Sequence, residues 1–97
     1  MEDLELYVSK SVREKLRIHH VLVLEVEEAL CLYDGVFLID DRPKHKTIPP
    51  TIWFIGPTFD DRLLKISMMI DKVKQRIVLK TAYDPSEQEI ALYEEST

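Results

Sequence analysis

The side chains able to do chemistry in this chain are cations and aromatics gathered in its second half: Arg42, Lys44, His45, Lys46, Arg62, Lys65, Lys80 and Tyr83. Lysine and arginine can neutralise a phosphate and stabilise charge that develops on it, while histidine and tyrosine can move a proton. Other chemistries lack their parts. His19 and His20 are adjacent rather than four apart, and Cys31 is the one cysteine, so no zinc ligand set is spelled out. The doublets Asp40-Asp41 and Asp60-Asp61 each offer one carboxylate per strand face, too few to hold magnesium alone. With only Gly35 and Gly56 there is no glycine-rich phosphate loop, and no serine or cysteine sits in a nucleophile motif. Neither a metal nor a cofactor is expected.

Spacing gives the cations a platform. If Ile70 faces Ile77 across a hairpin, then Leu64, Ile66, Met68 and Ile70 share one sheet face with Ile77 and Leu79. The opposite face then carries Lys65, Ser67, Arg76 and Lys80, because a one-residue slip would press Lys80 into the apolar side. Lys65 and Lys80 become near-diagonal neighbours, and two ammonium groups at that distance repel unless an anion or a carboxylate lies between them. Arg62 at the strand start, and His45 and Lys46 on the preceding loop, can border the same face. The plainer alternative is a solvated polar face, which half-exposed antiparallel sheets often have. Tyr83 and Trp53 can stack on a base, although Trp53, between Ile52 and Phe54, reads more simply as core.

The elements that must position these groups follow from periodicity. Leu4, Leu6 and Val8 alternate with polar neighbours as a short strand. Ser9 is an N-cap for a basic helix over Lys10–Ile18, with Val12 and Leu16 inward. Leu22, Val26, Ala29, Leu30 and Tyr33 form the apolar stripe of a second helix, which Asp34-Gly35 ends. Four β-rich runs follow, Val36–Asp40, Thr51–Ile55, Leu63–Ile70 and Arg76–Ala82, separated by Pro43, Pro49-Pro50, Gly56-Pro57 and the polar 71–75 segment. They supply three or four strands. Ser86 and Glu89 spell a capping box opening a last helix over Glu87–Glu94. The reading is α+β, in the order β-α-α-β-β-β-α, with helices packed on an antiparallel sheet.

Composition bounds what such a unit can be. Ninety-seven residues, 45% hydrophobic and 32% charged, make one domain over residues 1–97 with a core of ordinary size. Cys31 lies in an apolar helical stretch and is expected as a small buried filler, in a reducing compartment. The acidic start resembles no signal peptide and no run is long enough to span a bilayer, so a cytoplasmic protein without membrane contact is expected. The net charge of −5 argues against non-specific binding to nucleic acid, yet it can mask a local positive field in the middle of the chain.

Several short motifs, in order, resemble one family. His19-His20-Val21, Glu27-Glu28-Ala29, Ile39-Asp40-Asp41-Arg42, Ile55-Gly56, Arg62-Leu63-Leu64 and Thr81-Ala82-Tyr83, with Ser86, Glu89 and Tyr93, look like the BrnT group of type II toxins, which have the RelE-like ribonuclease fold. The likeness runs over residues 10–95. It implies a metal-independent endoribonuclease acting on messenger RNA, silenced by a cognate antitoxin over its active face, with a homodimer as a further option. Arg62 carries over by position. On this reading Arg62 and Lys80 hold the phosphate, Tyr83 or His45 transfers a proton, and Lys65, Arg42 and Lys46 bind RNA. The sequence departs from the pattern at Tyr83, where the family has an arginine, and in its acidic balance. The rival reading is a non-catalytic protein-interaction domain of the same fold, whose polar sheet face receives a peptide.

Overall fold

A computed structural model describes residues 4–97. Strand β1 (Glu5–Tyr7) is followed by helices α1 (Lys10–Ile18) and α2 (Val23–Cys31), then strands β2 (Leu38–Ile39), β3 (Ile52–Pro57), β4 (Leu63–Asp71) and β5 (Arg76–Tyr83), and helix α3 (Glu87–Ser96). A single 3₁₀ turn, Pro43–His45, interrupts the β2–β3 connection. The sheet order is β1-β5-β4-β3-β2. Four strands follow α2, the larger of the two expected numbers, so the order β-α-α-β-β-β-α is one strand short. The sheet is also mixed, because β1 runs parallel to β5 while the other pairs are antiparallel. That parallel pair needs a long crossover, and the rest of the chain between the two strands provides it.

Local chemistry explains the boundaries. Ser9 caps α1 by accepting from the Val12 amide at 3.3 Å, and Val12 and Leu16 turn inward. Between α1 and α2 the chain reverses at His20, whose φ of 57° is left-handed. The second helix stops at Cys31, earlier than its apolar stripe suggested, and Gly35 with φ 90° turns the chain into β2. Cys31 is exposed, a correction to its expected burial: it lies off the Val26–Ala29 stripe that meets the sheet. At α3 the Ser86 hydroxyl accepts from the Glu89 amide at 3.1 Å and the Glu89 carboxylate accepts from the Ser86 amide at 2.9 Å.

The hairpin has the expected Ile70–Ile77 register at its closed end. Leu64, Ile66 and Met68 are fully buried with Ile77, Leu79 and Ala82, and Val12, Leu16, Val26 and Ala29 of α1 and α2 close this side. Each of the larger of these side chains contributes about 2 kcal/mol of apolar burial, enough to fix which face is inside. Further along, the pairing steps from Met68–Leu79 to Ser67–Thr81, so Lys80 is the extra residue of a β-bulge. The opposite face is not a bare solvated surface. Glu89 and Tyr93 of α3 reach Lys65, Tyr83 and Trp53 there, so helices lie on both sides of the sheet. Trp53 is 7% exposed, but beneath α3 rather than in the main core.

Candidate functional site

The polar face is organised around two ion-paired nodes. The first is Arg62, placed by the loop between β3 and β4. Buried Thr58 shapes that loop: its amide donates to the Arg62 carbonyl at 2.9 Å and its hydroxyl accepts from the Arg62 amide at 3.2 Å. The guanidinium then donates to Asp84 at 2.9 and 3.0 Å, to Glu25 at 3.0 and 3.1 Å, and to the His20 carbonyl at 2.9 Å. Glu25 also accepts from the Leu22 amide at 2.9 Å, so one carboxylate caps α2 and holds Arg62. The hydrogen bond to Asp84, joined by those to Glu25, raises the arginine pKa against the opposing effect of burial. The same bond lowers the Asp84 carboxyl.

The second node is Glu89. One of its oxygens accepts from Lys65 Nζ at 2.8 Å and from the Tyr83 hydroxyl at 2.8 Å, while the other caps α3. Burial pushes this carboxyl up, but the bonds from Lys65, the Ser86 amide and Tyr83 outweigh it and hold the pKa at about 2. Burial and the bond to Glu89 together push the Tyr83 phenol up. The Lys65 ammonium also lies 4.5 Å from the Trp53 ring centroid and 5.7 Å from that of Tyr83. The His19 ring stands 5.4 Å from Tyr83, which links the second node to the end of α1.

Between β2 and α3 this face opens into a cleft of about 420 Å³, lined by Trp53 and Lys65 of the sheet, Glu89 and Leu92 of α3, and Asp40 and Arg42 after β2. Arg42 is largely exposed and donates to Asp40 at 2.7 and 2.9 Å.

The expected phosphate platform of Arg62, Lys65 and Lys80 does not form. Arg62 is engaged by two carboxylates and Lys65 by one. The bulge places Lys65 opposite Tyr83, three residues beyond Lys80, roughly 10 Å along the strand. Lys80 is exposed. Tyr83 and Lys65 do come together, with Glu89 between them, and Arg42 joins them in the cleft rim. Lys46 sits apart, in a hollow with Thr47, Ile48 and Pro50. The His45 side chain lies outside the described residues.

Sequence reasoning saw Glu89 only as a cap. It missed Glu25, Asp84 and Thr58 as the groups that hold Arg62. A signal was present for Asp84, a charged residue directly after an apolar strand, though nothing in spacing joined it to Arg62. Among the described residues no cluster of three histidines, cysteines or carboxylates is placed to hold a metal, and no helix is long and apolar enough to cross a membrane. No family model, curated protein or solved structure matches the chain.

Proposed function

We propose that this domain acts by binding a partner protein, as the non-catalytic interaction module of the rival reading. The observation that carries the proposal is the fate of the cations. A phosphate-cleaving site needs cations free to meet added negative charge. Here Arg62 and Lys65 are already neutralised within the fold, by Glu25 and Asp84 and by Glu89. Tyr83, with its pKa raised, is a poorer base than a free phenol at neutral pH. What the surface offers there is apolar area: exposed Ile39 and Leu92 line the cleft, and exposed Phe37 and Ile48 line the two hollows that share Ile39. Apolar side chains grouped in this way mark protein contacts more often than catalytic sites.

The ribonuclease toxin of a two-component module is the second reading. One arrangement favours it: His19, Tyr83, Lys65 and Trp53 lie in sequence along one face, with an aromatic surface for a base and two groups able to carry protons. Incubating the purified chain with messenger RNA in excess EDTA separates the two. The RNA is expected to stay intact at high protein concentration. Cleavage by the wild-type chain that disappears in Tyr83→Phe would overturn the interaction reading and establish the nuclease.

A further inference from the structure

We infer that the outer edge of β2 takes an additional strand from a partner, an extended segment that alternates apolar and acidic side chains. This rests on the partner-binding reading and adds the site and the chemistry of the partner.

The edge is open by register. The Asp40 amide donates to the Thr51 carbonyl at 2.8 Å, and Leu38 and Ile39 face Trp53 and Ile52. Hydrogen-bonded and non-bonded pairs alternate along an antiparallel ladder, so Ile39–Ile52 is the non-bonded pair. The amide and carbonyl of Ile39 therefore point away from β3, to the side where the sheet has no further strand among the described residues. A partner strand would find there the donor and acceptor that sheet extension uses.

Side-chain chemistry beside this edge defines the sequence of such a strand. Ile39 shares the Ile52 face of the sheet, the side that α1 and α2 cover further along. At this end the face continues uncovered as an apolar groove of about 550 Å³, with Phe37, Ile39, Pro50, Ile52, Ile70 and Val73 around it. Ile39 is 58% exposed, Phe37 45% and Val73 94%. Apolar side chains at alternate positions of an added strand would extend the core into that space.

The charges around it favour acidic residues at the intervening positions. Lys72 borders the groove, and Lys46 borders the adjoining hollow that shares Ile39 and Pro50. Neither lysine has an ion pair among the described residues. The nearby Asp71 is already engaged, accepting from the Val73 and Lys74 amides at 3.1 Å and facing Arg76 at 3.8 Å. Asp40 and Asp41 also line the hollow; Asp40 is engaged by Arg42, and Asp41 offsets Lys46. With Asp71 facing Arg76, Lys72 is the charge of the groove left without an ion pair among the described residues, in a chain whose net charge is −5. An acidic segment is attracted here and a basic one is not.

The test is fluorescence anisotropy of the full chain with a labelled peptide of about eight residues, long enough to match an average strand, alternating valine or isoleucine with glutamate. A control peptide carries lysine in place of glutamate. The acidic peptide is expected to bind saturably and about tenfold tighter than the control, and to lose about tenfold in affinity when Lys46→Glu and Lys72→Glu are combined. Amide chemical shifts should move at Ile39 and Ile70 while Lys65 and Glu89 stay unchanged. Ile39→Lys, at an exposed edge position that leaves the core intact, should abolish binding without changing the circular dichroism spectrum. Equal binding of the two peptides, no binding at millimolar concentration, or shifts confined to the Lys65–Glu89 cleft would each overturn the inference. So would a concentration-dependent dimer of the free chain that Ile39→Lys dissolves, since a second copy would then own the edge. The RNA assay and the peptide assay fail independently: cleaved RNA with a bound acidic peptide refutes only the non-catalytic reading, and intact RNA with no bound peptide refutes only the edge site.

Discussion

Replacing Glu89 by glutamine isolates the electrostatic worth of the node that ties α3 to the sheet. In the folded chain the Glu89 carboxylate has a pKa of about 2, against 4.5 for an unperturbed glutamate. A difference of that size corresponds to about 3 kcal/mol of preference for the folded, ionised form. The side chain is 25% exposed, and solvent screening brings the expected effect to about 2 kcal/mol. Because the folded pKa lies below the unfolded one, the contribution is complete above pH 4.5 and drains away as pH falls towards 2. Glu89→Gln keeps an oxygen that can accept from the Ser86 amide but leaves the Lys65 ammonium, 13% exposed, without its counter-charge. Urea unfolding of both proteins, followed by circular dichroism at a series of pH values, should show glutamine less stable by about 2 kcal/mol at pH 7. That gap should narrow steadily between pH 4.5 and pH 2. A gap that does not change with pH would refute the electrostatic account, because a packing or capping effect has no reason to titrate there.

Two further outcomes follow from the same geometry. Arg62→Lys removes the fork that reaches Asp84, Glu25 and the His20 carbonyl together, and should cost about 2 kcal/mol in thermal unfolding; a melting temperature equal to that of the wild type would show that the node is a surface decoration. His20→Gly relieves a left-handed φ of 57° in the α1–α2 turn while keeping the carbonyl that Arg62 uses, and should stabilise the chain by about 0.5 kcal/mol; a loss of stability would mean that the imidazole itself makes a contact worth more than the strain.

The sequence was most legible where one local rule decided the outcome. Ser9 and Ser86 start their helices where capping chemistry places them, and the alternation from Leu64 to Ile70 fixes both the core face and the Ile70–Ile77 register. The β1–β5 parallel pair was illegible because three residues of alternation carry no direction. The bulge at Lys80 escaped for a related reason. Nothing in Val78-Leu79-Lys80-Thr81-Ala82 marks which residue will be left unpaired, and both registers keep Leu79 inside. Yet that one residue decided the candidate site, since it moved Lys65 from the neighbourhood of Lys80 to that of Tyr83, within reach of Glu89. Charge reading failed in a more general way. Counting lysines and arginines on one strand face treats them as free, whereas their partners come from other elements: Asp84 from the strand end, Glu25 from α2, Glu89 from α3. A buried or half-buried cation without a carboxylate is costly, so a fold that places arginine and lysine beneath a helix must bring acids to them. Part of the acidic surplus of the chain is therefore structural. It is what allows those cations to sit inside the structure.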